Sequence, residues 1–160
     1  MSVRVIAFII VIGALIGYPL KEFIFYKPIK DAGNGYTEVD LKGISLFPFD
    51  QQAGKQEDVP AEFRALDGKK VVVVGEMWQP YSAGRAVEGF QLVYSIAKCC
   101  FSGPPQIQHF VQAKVVPDVH VNYHSGLVKV TGTMHVKVQR DQDGKIVGVY
   151  HIDVEDIQPM

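Results

Sequence analysis

The chain has 160 residues, 16 basic and 17 acidic side chains and a formal charge of −1. That length allows one domain with a core of its own, and the even mixture of charges leaves no basic face that would make nucleic acid a partner. The two cysteines are adjacent, which excludes the loop-closing disulfides that staple small secreted domains.

Residues 5–20 carry no charge and follow Arg4. As a helix this run spans about 24 Å, slightly short of a ~30 Å hydrocarbon core. Phe23, Phe25 and Tyr26 extend it into the interface, where aromatic rings sit at headgroup level. Residues 1–26 therefore read as an N-terminal membrane anchor, with a single transmembrane helix within 5–26. A cleaved signal peptide is the rival reading, for which Gly17-Tyr18-Pro19 is a poor cleavage site. The positive charge before the span places the N-terminus inside and the rest of the chain on the extracytoplasmic side.

Residues 27–35, with Pro28, Gly33, Asn34 and Gly35, read as an irregular linker. Residues 36–160 then form the domain. Tyr36 to Leu46 alternates weakly, as a first strand, and residues 48–59 read as an exposed loop. Pro60 to Leu66 suits one or two helical turns, with Phe63 and Leu66 on one side. Lys70 to Trp78 is the strongest strand, with four successive valines before Gly75, a position for a bulge or bend. Val87 to Ala97 alternates with Phe90, Leu92, Tyr94 and Ile96 on one face, and must end before Pro104-Pro105. Ile107 to Val115, Val128 to Val138 and Ile146 to Ile157 complete the set. Such short strands with one short helix predict a mainly β fold, a small OB-like β-barrel of five or six strands, with an open sandwich as the alternative.

Parity fixes one register in advance. Val136 and Tyr150 both face inward by pattern, and residues opposed across antiparallel strands share a face. A three-residue loop, Gln142-Asp143-Gly144, then sets His135 directly opposite His151 on the outer face.

Residues 59–157 resemble a family of uncharacterised bacterial exported proteins, a domain of unknown function. The resemblance is carried by Leu66 to Val71, Val73 to Pro80, Phe90 to Val93, a cysteine-containing turn before Pro104-Pro105, and Val130 to Thr133. It implies a bacterial envelope location and an OB-like domain, and it implies no activity. A related-looking module closes some membrane-permease subunits and also carries a Cys-Cys pair.

Cys99, Cys100 and His109 are candidate metal ligands, since thiolate and imidazole suit zinc, copper or iron. The cysteines can equally form a vicinal disulfide or cycle in redox chemistry, or serve as a small buried hydrophobe and a turn cap. If strand geometry persists through residue 100, Cys100 faces the interior, Cys99 faces solvent, and the sulfurs diverge. Trp78, Tyr81, Phe101, Pro104 and Pro105 are candidates for a binding surface at one mouth of the barrel, or for its end plug. His120 and His124 share a face with Asn122 if extended, without a carboxylate at a supporting spacing. No phosphate-binding loop, nucleophile elbow or haem-attachment motif is present in the sequence. The sequence thus predicts a membrane-anchored, non-enzymatic binding or scaffolding module without a cofactor. Its partner would be a protein of the envelope, such as a transporter or other membrane complex. A metal-handling or thiol-redox protein using Cys99 and Cys100 is the alternative.

Overall fold

The computed structural model describes residues 8, 11–13, 15, 26–79, 86–101 and 103–160, and for 99–101 the backbone alone. Among the described residues no helix is long and apolar enough to cross a membrane. Most of the predicted anchor, residues 1–26, lies outside the described residues.

The fold is mainly β. Among the described residues seven strands form one sheet: β1 (Ile29–Gly33), β2 (Tyr36–Val39), β3 (Lys70–Trp78), β4 (Gly89–Val93), β5 (Val111–Val115), β6 (Leu127–Arg140) and β7 (Ile146–Pro159). Their order is β1-β2-β3-β4-β5-β7-β6, and β6 pairs in addition with β3. The last five strands are thus hydrogen-bonded around a complete circuit. The β5–β7 pair is parallel, and the other pairs in the circuit are antiparallel. One edge of β3 is shared by β2 and β4, with Gly75 between their contacts. A Cβ at Gly75 would meet the Val93 carbonyl oxygen at 2.6 Å, so glycine serves a close approach there and pairs regularly with Val128, without a bulge.

The alternation read from the sequence produces the core. Val71, Val73 and Met77 of β3, Val128, Val130, Met134 and Val136 of β6, and Tyr150, Ile152 and Val154 of β7 are all buried. Phe47, Phe49 and Phe63 close one side, with the ring of Phe47 5.9 Å from each of the other two. Tyr150, fully buried, donates its hydroxyl to the Ile44 carbonyl at 2.8 Å. Buried Gln108 donates to the Phe47 carbonyl at 3.2 Å and accepts from Gln51 at 3.0 Å, so the connecting loops are tied by satisfied amides.

Three local expectations give way. The linker contains β1, because Gly33, Asn34 and Gly35 all take positive φ and turn the chain back into β2. The supposed first strand stops at Val39: Asp40 accepts the Lys42 N–H at 3.0 Å and caps α1 (Leu41–Ser45). Downstream, α2 (Ala61–Arg64) forms where helical turns were predicted. The strand leading to the cysteines ends at Val93 and is followed by α3 (Ile96–Phe101). The Glu76 carboxylate accepts the Ile96 N–H at 2.6 Å, and Ser95 Oγ accepts the Lys98 N–H at 3.4 Å. Cys99 and Cys100 therefore lie on helical backbone, where successive side chains are about 100° apart and not on opposite faces. The premise from which their divergence was predicted does not hold, and the sulfurs themselves lie outside the described residues.

Candidate functional site

A row of side chains crosses the outer face of the circuit. Trp78 pairs with Gln91, Gln91 with Gln112, Gln112 with His151, and His151 with His135. Each strand contributes the outward member of its alternation, so the register alone assembles the row.

The His135–His151 pairing is the predicted one. Gly144, at φ +80°, closes the three-residue loop. Between the loop and the histidines the register shifts twice, between Val136 and Gln139 and between Gln139 and Arg140. One extra residue falls on each strand, so the shifts cancel and the parity set by the loop survives.

The histidine end of the row forms the floor of a groove of about 1260 Å³. Gln91, Gln112, His135, His151 and Asp153 line it from the sheet, Lys114 and Lys137 from its flanks, and Lys55, Gln56 and Asp67 from the preceding loops. Arg140, at the hairpin end, donates to the carbonyls of Gln52, Gly54 and Gly144 at 3.2, 2.9 and 2.7 Å, pinning the loop against the hairpin. Gln56 donates to the Val136 carbonyl at 2.9 Å and accepts the Val138 N–H at 2.8 Å, and Asp67 accepts the Val136 N–H at 2.9 Å. These side chains occupy the edge that β6 would otherwise expose beyond β3.

The two histidines differ. His135 is half-exposed, with Nε2 3.1 Å from Asp153 and Nδ1 3.9 Å from Asp67. The ring of His151 is tucked against Gly148, where a Cβ would meet its Cε1 at 2.8 Å. Both of its nitrogens are buried with no hydrogen-bond partner among the described residues. Burial holds the His151 pKa below the ordinary range; nearby His135 pushes the same way, and Asp153 opposes. The imidazole can meet a ligand by turning out of its recess on Gly148 towards the groove that His151 lines.

The residues singled out from the sequence lie elsewhere. Trp78 ends the outer row, half-buried, but does not line the groove. Pro104 and Pro105 are exposed in the turn after α3, Tyr81 lies outside the described residues, and Phe101 is described by backbone alone. His109 ends the 3-10 turn Ile107–His109, with its Nδ1 3.5 Å from the Gln106 nitrogen, and burial lowers its pKa. Among the described residues no group of three His, Cys, Asp or Glu side chains is arranged to hold a metal ion. His120 is exposed, and Asn122 makes an isolated bridge with Ala86. The groove residues missed in the sequence are Gln91, Gln112, Asp67 and Asp153. Their signal was parity with the His135–His151 pair, which needs the order of β4, β5 and β7 before it can be used.

No protein-family model matches the chain, and no curated protein matches it. Among solved structures it is similar to the crystal structure of a DUF3299 family protein from Pseudomonas aeruginosa PAO1, with a TM-score of 0.48 and 17% identity over 84% of this chain and 85% of that one.

Proposed function

We propose that this chain is a membrane-anchored, extracytoplasmic binding module that takes its ligand in the outer-face groove. The observation that carries the reading is His151, whose two ring nitrogens are buried without partners among the described residues on the floor of the groove.

The strand circuit with its parallel β5–β7 pair supports an OB-like barrel. In such barrels ligands bind across the second and third strands and the loop joining the fourth and fifth. Counted from β3, those are β4 and β5, which carry Gln91 and Gln112, and the β6–β7 hairpin that borders the groove. The uncharged run in residues 5–20 supports the anchor. Tyr26 is hydrogen-bonded to Asp40 and Pro28 packs on Gly43, so an anchor ending there holds the domain close to the bilayer. A partner or ligand in the envelope, at or near a membrane complex, fits that placement.

The test is a fragment screen on the full-length protein in detergent, followed through the histidine ring signals by NMR. Polar fragments should shift His135 and His151 together. Hits that shift only signals around Trp78 and the Pro104-Pro105 turn would overturn the groove as the site.

A further inference from the structure

The charges of the groove are unevenly satisfied. Asp67 and Asp153 both engage His135. Lys55, Lys114 and Lys137 have no ion-pair partner among the described residues. Lys114 lies two residues beyond Gln112 on one side of the histidine row, and Lys137 two residues beyond His135 on the other. Their backbone positions are thus ~13 Å apart along the strand direction, with one strand between them. The matching ligand carries anionic groups at intervals, not one compact anion.

Between those cations the row, made of Gln91, Gln112, His151 and His135, carries no lysine, arginine or carboxylate of its own. Each Gln amide offers both donors and an acceptor, and a neutral imidazole offers one of each, the pattern that suits hydroxyl groups. Two other polyanions fit less well. Nucleobases call for broad stacking platforms, and among the described residues no phenylalanine, tyrosine or tryptophan lines the groove. An acidic peptide adding as a strand needs a free edge, and β6's outer edge is occupied by Gln56 and Asp67.

We propose that the groove binds an acidic oligosaccharide, with its anionic groups at Lys114 and Lys137 and its hydroxyls along Gln91, Gln112, His151 and His135. The proposal rests on the groove being the binding site. The test is calorimetric titration of the full-length protein in detergent with oligogalacturonate, using a neutral cello-oligosaccharide, poly-glutamate and oligothymidylate as comparators, while NMR follows the histidine rings. Oligogalacturonate should bind more tightly than all three, lose affinity with salt, and shift both histidine signals. The double variant Lys114→Gln/Lys137→Gln should bind it about tenfold more weakly or worse, with unchanged thermal unfolding because both side chains are exposed. Absence of binding, or binding indifferent to the double substitution, overturns the proposal. A comparator that binds as well and shifts the histidines overturns the acidic saccharide but leaves the groove reading intact. Fragments that avoid the groove altogether remove both.

Discussion

His135 stands directly opposite His151 across the β6–β7 hairpin, yet one ring reaches two carboxylates and the other reaches none. The difference comes from Gly148, whose missing side chain leaves room for the His151 imidazole to fold down against the strand.

This asymmetry sets a pH dependence. The unfolded chain takes up a proton on His151 near the ordinary value of 6.5, while the folded state resists it because of burial and the neighbouring His135. The stability contribution is complete above pH 6.5 and is lost as pH falls below it towards the depressed folded value. His109, also lowered by burial, acts in the same direction. The unfolding temperature should be level at neutral pH and decline in mild acid, and His151→Gln should reduce the slope. A rise in mild acid would contradict this account.

Gly148→Ala should destabilise the protein by driving the imidazole from its recess, and the cost should shrink in a His151→Ala background. The expected coupling is about 1 kcal/mol or more. A double-mutant cycle from denaturant unfolding measures it, and additive effects would show that the ring is not seated on Gly148.

Much of the fold was legible because the strongest strands alternate cleanly. Lys70 to Trp78 is β3 to the residue, and the histidine pairing follows its parity because the two irregularities between the loop and the histidines cancel. The helix at the cysteines was not legible by period: Phe90, Leu92, Tyr94 and Ile96 continue the strand pattern past its real end at Val93. What stops the strand is partly local, in Ser95 as a cap, and partly distant, in the Glu76 carboxylate. The groove was only half legible, since its histidine pair follows from one hairpin whereas Gln91 and Gln112 join it through a parallel pairing that no local pattern announces.

Tyr150→Phe should cost about 1–2 kcal/mol, because it leaves the buried Ile44 carbonyl without its donor. Gly132→Ala should cost at least about 2 kcal/mol, since its Cβ would meet the Asp153 carbonyl oxygen at 2.1 Å. Denaturant midpoints at constant slope check both. A neutral Gly132→Ala would mean that β6 and β7 do not approach so closely there.

Gln56→Ala should destabilise by about 1–2 kcal/mol by releasing the Val136 carbonyl and the Val138 N–H. It should also expose a strand edge, visible as self-association in sedimentation. A monomer of unchanged stability would show that water replaces the glutamine without loss.

For a binding module that does not use its thiols, Cys99→Ser/Cys100→Ser should leave groove binding unchanged, and the purified chain should hold metal well below one ion per chain. Stoichiometric metal that disappears in this variant would move the function to α3.

The most direct test of the groove as the ligand site is a crystal structure of the full chain grown from a lipid phase and soaked with polar fragments. The account predicts density in the groove with a fragment atom hydrogen-bonded to a ring nitrogen of His151, displaced by Gln112→Ala. Fragments bound only elsewhere, with both His151 nitrogens still unpartnered, would contradict it.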